Sequence, residues 1–124
     1  KARCDVFTVE QHICYPDMDD IDYGSLHVYL SDGSGLVHAY LRLYRDGADG
    51  SVVHMGRVLT REHGRGLGRE VVLAGIRAAR DVLGACRIEL HSQQYCIGFY
   101  EKLGFSVCSD VFMEAEIPHV GMAI

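Results

Sequence analysis

Residues 61–70 read REHGRGLGRE, with Gly64, Gly66 and Gly68 at alternate positions, Arg65 and Arg69 threaded among them, and an apolar-periodic segment following at once. Glycine admits backbone conformations closed to other residues and lets a ligand approach closely, while arginine supplies charge for phosphate oxygens. A strand that delivers the chain through such a turn into a helix presents unpaired N–H groups, and the positive end of the helix dipole, to an anion. The commoner nucleotide loops do not fit. A Walker loop needs lysine and then serine or threonine after its last glycine, whereas Gly68 is followed by Arg69 and Glu70. The dinucleotide pattern G-x-G-x-x-G fails in both registers, ending on Arg69 from Gly64 and on Val71 from Gly66. A pyrophosphate held by backbone N–H groups and arginines still fits. The alternative is a tight strand-to-helix turn whose arginines face water.

Working outward, SVVHMGRVLT (51–60) reads as the strand before the loop, and its interior Gly56 marks either a bulge or a packing contact. The helix after it runs from about Leu67 to Leu83 on a stripe of Val72, Ile76, Ala79 and Leu83, with Gly84 as its stop. Upstream, SLHVYL (25–30) and LVHAYLRLY (36–44) alternate apolar and polar residues around the turn SDGSG (31–35), which predicts an antiparallel hairpin. ARCDVFTVEQ (2–11) places Val6, Phe7 and Val9 near helical spacing and reads as the end of a helix; CYPDMDDIDYG (14–24) reads as an acidic loop. Downstream come a buried strand, CRIELHS (86–92), a short helix, YCIGFYEKLG (95–104), and closing strands in FSVCSDVFMEAEI (105–117) and VGMAI (120–124). The order predicts an α/β sandwich, one mixed sheet between helices, built as a single domain over residues 1–124.

Bulk properties narrow the function classes. A chain of 124 residues, 48% hydrophobic and 9% aromatic, is one globular domain's worth. The net charge is −5 and the lysines are only Lys1 and Lys102, which argues against a sequence-independent grip on nucleic acid. Charge is unevenly placed, with seven acids and no lysine or arginine from Cys4 to Leu41, and nine arginines against five acids from Arg42 to Arg87. The five cysteines never form a C-x-x-C pair, which favours reduced thiols in a cytoplasmic protein over a disulfide framework or a zinc module. No apolar run approaches the ~20 residues of a membrane span, and no signal peptide is visible, although the chain starts at Lys1 without methionine. The aspartates of the acidic segment do not make a calcium loop: counting from Asp17, the fifth place is Ile21 and the twelfth Val28.

A second pattern gives the glycine loop a partner. YEKLGF, Tyr100 to Phe105, ends a short helix and enters a strand about thirty residues after HGRGLG, His63 to Gly68. Together these resemble the GNAT superfamily of acyl-CoA N-acyltransferases, whose phosphate loop reads Arg/Gln-x-x-Gly-x-Gly/Ala and whose later helix carries Tyr-x-x-x-Gly-Phe. VFTVEQHICYP, GRVLT and IPHVGM are similar to the ElaA-like subgroup, so the resemblance spans nearly the whole chain. It implies a mostly antiparallel mixed sheet with one splayed parallel pair and helices on both faces. It also implies that the family's first strand and part of its first helix lie upstream of Lys1.

The implied activity is direct transfer of an acetyl group from acetyl-CoA to an amine in a ternary complex. By that resemblance the pantetheine arm lies between SVVHMGRVLT and RIELHS, meeting the main chain of Gly56, Arg57 and Val58 and the amide of Gln93, which stands where many relatives carry asparagine. The Val58 N–H would polarise the thioester carbonyl. His63, Gly64, Arg65, Gly66, Leu67, Gly68 and Arg69 would hold the pyrophosphate, His63 departing from the family's arginine or glutamine. Tyr100 would act as general acid toward the departing thiolate; its alternative is an aromatic packed beside Phe99 and Phe105. No base follows from the pattern, because the strand supplies Ile88 where relatives often carry glutamate and Glu89 points the other way. His54, Arg57 and His27 read more readily as strand residues or substrate contacts than as the base. Cys96, one helical turn before Tyr100, reads as a small buried filler.

Glu10, Asp17, Asp19, Asp20, Asp22 and His27 are the expected acceptor-side residues, suited to a cationic small-molecule or peptide amine. A homodimer through the terminal strands is possible in this reading, as is a covered edge. No metal site, nucleic-acid partner or membrane partner is expected. The alternative function is a non-catalytic acyl-CoA-binding module, which has no need of Tyr100 at its motif position.

Overall fold

The structure, a computed structural model, describes residues 8–13 by their backbone, and residues 25–46, 51–60 and 66–124. Its strands are β1 (Thr8–Ile13), β2 (Leu26–Ser31), β3 (Val37–Asp46), β4 (Val52–Thr60), β5 (Arg87–Gln93), β6 (Ser106–Val107), β7 (Phe112–Glu114) and β8 (Ile117–Ala123). Helix α1 (Leu67–Asp81) joins β4 to β5, and a single 3-10 turn (Gln94–Cys96) leads into α2 (Ile97–Glu101). All eight strands form one sheet in the order β1-β2-β3-β4-β5-β8-β6, with β7 also paired to β8. Every pairing is antiparallel except β4 with β5. That exception follows from the connection, since a helix crossover returns the chain in the same direction whereas hairpins reverse it.

The alternation read from the sequence decides which face is buried. Leu26, Val28 and Leu30 of β2, Ala39, Leu41 and Leu43 of β3, Val53 and Met55 of β4, and Ile88 and Leu90 of β5 are all within 2% of full burial. Helix α1 covers this face with Leu67, Val71, Val72, Ile76, Ala78 and Ala79. Each buried valine- or leucine-sized side chain contributes about 1.5–3 kcal/mol relative to exposure. Gly75 allows the close approach, because a Cβ there would lie 2.9 Å from both Leu41 Cδ2 and Met55 Cε. Helix α2 stands beside the start of α1, where Phe99 Cζ would meet a Cβ on Gly68 at 3.4 Å. The described helices therefore share one face, and residues 14–24, which precede β2, lie outside the described residues.

Three local expectations need correction. The helical reading of residues 2–11 fails over its described part: Thr8–Ile13 is a strand, pairing with β2 from Thr8 opposite Ser31 to Ile13 opposite Leu26. The spacing of Val6, Phe7 and Val9 is as compatible with a strand as with a helix over so short a run, and pairing to β2 decides it. The stretch 105–117 is two short strands separated by a turn, not one. Helix α1 ends two residues before Leu83, at Asp81, and Gly84 at φ 68° completes the stop, with the Ala85 N–H donating to the Ala79 carbonyl at 3.0 Å.

Candidate functional site

The parallel pairing of β4 with β5 covers only Val52–His54 and Arg87–Glu89. Beyond it, β4 continues to Thr60 and β5 to Gln93 without pairing to each other. The cause is a bulge in β4. Arg42 of β3 faces Gly56, yet Tyr40 faces Leu59, so β4 takes three steps where β3 takes two. Arg57 absorbs the extra residue in the left-handed region, at φ 53°. A bulge bends its strand and sharpens the local twist, so β4 follows β3 and leaves β5. The glycine at position 56 does sit at the bulge, but its arginine neighbour takes the positive φ.

The parted strands enclose a cleft of about 500 Å³ lined by Met55 to Thr60 from β4, Leu90 to Gln93 from β5, and Tyr95, Cys96, Tyr100 and His119. Strand edges opened in this way present main-chain donors and acceptors to an extended ligand. Tyr100 enters from α2 with its ring edge-on to Phe99 and Phe105, centroids 5.0 and 5.8 Å away. Burial, and secondarily the neighbouring Cys96, push its phenol up to about 12. Cys96 is half-buried and lines the same cleft, so it is a wall residue and not the buried filler expected of it. It is the last residue of the 3-10 turn that leads into α2.

The start of α1 adjoins this cleft. Gly66, at φ 73°, precedes the helix without any side-chain cap, and the first helical bond runs from the Glu70 N–H to the Gly66 carbonyl at 3.1 Å. The N–H groups of Leu67, Gly68 and Arg69 precede that bond and point out of the helix end, as an anion requires. Gly68 lies against the cleft wall: a Cβ there would be in ordinary contact with Thr60 Cγ2, at 3.6 Å. Arg69 is exposed on the first turn. Opened strand edges joined to an uncapped helix start fit an extended thioester arm ending in a pyrophosphate.

Comparison with known proteins decides the family: the sequence model of the GNAT acetyltransferase domain matches residues 8–124. The chain belongs to the GNAT acetyltransferases. It is 34% identical to a UPF0039 protein of Schizosaccharomyces pombe across 98% of this chain and 82% of the relative. It is 32% identical to ElaA of Escherichia coli across 99% and 82%. Among solved structures it is similar to an acyl-CoA N-acyltransferase from Pseudomonas aeruginosa, with TM-score 0.75 and 28% identity over 85% of this chain and 72% of that one. The crystal structure of Escherichia coli ElaA also has TM-score 0.75, with 26% identity over 88% and 75%. The GNAT fold expected from the paired motifs, and the ElaA likeness expected from VFTVEQHICYP, GRVLT and IPHVGM, are both found.

In this GNAT domain Gly56, Arg57, Val58, Gln93 and Tyr100 come together in the cleft, with Gly66, Leu67, Gly68 and Arg69 at the adjoining helix start. His63, Gly64 and Arg65, and likewise Asp17, Asp19, Asp20 and Asp22, lie outside the described residues. Glu10 is placed by its backbone on β1, opposite Tyr29. His27 is two strands away from β4, stacked on Tyr40 and hydrogen-bonded to its hydroxyl, and does not line the cleft. Ile88 is buried and Glu89 is occupied by Arg87 Nε at 2.6 Å.

Sequence reasoning missed a second cavity of about 450 Å³ lined by Arg42, Tyr44, His54, Met55, Gly56, Arg57, His91 and Glu114. Met55, Gly56, Arg57 and His91 line both cavities, so the bulge and His91 form their shared wall. The only sequence signal for His91 was its place opposite the buried face of β5. Glu114 carried none, since its approach depends on β7 folding back along β8.

Proposed function

We propose that this protein is an acetyl-CoA-dependent N-acetyltransferase that moves the acetyl group directly to the amine of a small molecule or peptide. The observation that carries the reading is the convergence, in one cleft, of the opened β4 and β5 edges, Val58 just past the bulge, and Tyr100 from α2. Acetyl-CoA supplies an activated thioester and a thiolate leaving group. The main chain at Gly56, Arg57 and Val58 and the amide of Gln93 hold the arm. Leu67, Gly68 and Arg69 at the helix start, after Gly66 and with His63, Gly64 and Arg65 of the preceding loop, take the pyrophosphate.

Val58 is skipped by the register to β3, leaving its N–H suited to polarise a carbonyl oxygen in the cleft, a role commonly worth about 3–4 kcal/mol. Tyr100 holds its proton until negative charge collects on the sulfur, then donates it. Burial keeps the phenol protonated throughout the physiological range, so the donor form is the one present. The same shift makes it a weaker acid than an exposed phenol, so its proton follows the charge on sulfur. No nucleophilic residue is needed, which leaves the free thiols Cys86, Cys96 and Cys108 outside the reaction and suits a reducing cytoplasm. The carboxylates of Asp17, Asp19, Asp20 and Asp22, before β2, and of Glu10 on β1 draw in a cationic acceptor. No described helix is long and apolar enough to cross a membrane.

The test is thiol release from acetyl-CoA across a panel of polyamines, amino acids and peptides, set beside calorimetric binding of CoA. Steady release with at least one amine is expected. Tight CoA binding with no turnover on any amine would instead make the domain an acyl-CoA-binding module.

A further inference from the structure

Five rings form a continuous row on the sheet face opposite α1: Tyr44 of β3, His54 of β4, His91 of β5, Phe112 of β7 and His119 of β8. Their successive centroid distances are 5.1, 4.9, 5.0 and 6.1 Å. His91 stands in the middle, at the wall common to both cavities. Its Nδ1–H donates to Glu114 Oε1 at 2.9 Å, and the other carboxylate oxygen lies 3.8 Å from His119 Nε2. The His54 and Phe112 rings meet it edge-on, at 81° and 74°. A histidine whose Nδ1–H is tied to a carboxylate presents the lone pair of Nε2 for protonation, and the carboxylate stabilises the imidazolium that results.

We infer that His91 is the general base that takes the proton from the acceptor amine, that Glu114 is its positioning residue, and that the amine arrives through the cavity of Arg42, Tyr44 and His54. This rests on the acetyltransferase reading. An amine that is an ammonium ion at neutral pH cannot attack until an N–H bond breaks; here that proton forms an Nε2–H bond on His91 and the freed nitrogen lone pair faces the bulge of β4. His91 is placed for this because the strands part just before it. Glu89, two residues earlier, still pairs with β4 and is held by Arg87, whereas His91 borders both spaces. The charged or titratable groups facing it are His54 and Arg57 from β4, Arg42 and Tyr44 from β3, Glu114 from β7, His119 from β8 and, across the shared cleft, Tyr95, Cys96 and Tyr100.

The test pairs kinetics with NMR of the imidazoles on the full chain. In the wild type, kcat/KM for an alkylamine falls toward acid with a midpoint equal to that of the His91 ring signal in the unliganded protein. His91→Gln abolishes this limb and lowers kcat about 10²-fold, in the range of general-base contributions. The loss is recovered with a weakly basic amine that is already unprotonated, while CoA binding stays unchanged. Glu114→Gln moves the NMR midpoint and the kinetic limb together. A His91→Gln enzyme that keeps kcat within about twofold, or keeps the acid limb, overturns the assignment while leaving the acetyltransferase reading intact. Absence of turnover in the wild type removes both.

Discussion

His54 is the last residue of β4 that pairs with β5, and its partner is Glu89. From that pair onward the two strands bound a cleft instead of a ladder, and the residues immediately beyond it, Met55 to Val58 and Leu90 to Gln93, are its walls. Cleft geometry therefore depends on how firmly β4 is held in its bulge.

The bulge turns on Arg57 at φ 53°. A β-branched side chain tolerates that conformation poorly, so Arg57→Val is expected to lower unfolding free energy by about 1–3 kcal/mol and to weaken CoA binding. Arg57→Gly accepts the same backbone without strain and is expected to be more stable than the valine variant. Denaturant titration and calorimetry of both variants check this. Equal stability for valine and glycine would show that the positive φ does not hold the bulge.

Tyr100 makes two separable predictions. Tyr100→Phe preserves ring packing against Phe99 and Phe105, so it is expected to leave CoA affinity unchanged while lowering kcat about 10²-fold or more. The second concerns alkaline stability. Burial raises the folded phenol to about 12, above its unfolded value of about 10. The native state thus favours the protonated form, and this contribution is intact below pH ~10 and is lost as pH rises toward 12. Chemical denaturation from pH 8 to 11 should show a steeper alkaline decline in the wild type than in Tyr100→Phe. Identical slopes would place the phenol in water.

The β7–β8 hairpin turns on Ala115 and Glu116, at φ 52° and 64°, between the paired residues Glu114 and Ile117. A two-residue turn with both φ positive matches the twist of its strands, but asparagine then glycine are the residues that adopt it without cost. Ala115→Asn with Glu116→Gly is expected to raise stability by about 1–2 kcal/mol, the strain of a left-handed residue being of that order. Thermal unfolding measures it. Because Glu114 adjoins this turn, the double variant should also keep the His91 contact intact.

The local alternation in 25–30 and 36–44 and the stripe on α1 are legible because each strand or helix buries one face, and burial repeats with the period of the element. The bulge was only half legible. Gly56 marked the place, but which residue takes the left-handed φ depends on how β3 and β4 register, and that lies between strands. Cys96 stands at the end of the 3-10 turn before α2 and lines the cleft, a placement that helical spacing from Tyr100 does not encode. Residues 2–11 carry too few apolar positions to separate the helical period from the strand period, and pairing of Thr8–Ile13 with β2 decides for a strand over the described part.

What the sequence by itself determined was the order of elements, the buried face of each central strand, and the paired loop and tyrosine motifs, since all of these are encoded in local spacing and residue chemistry. What only the tertiary structure decided was where β4 leaves β5, and which side chains share the space that opens there. His91 and Glu114 are 23 positions apart, and no local pattern joins them. They meet because β7 folds back along β8 and β8 pairs with β5, so their contact is a property of the assembled sheet.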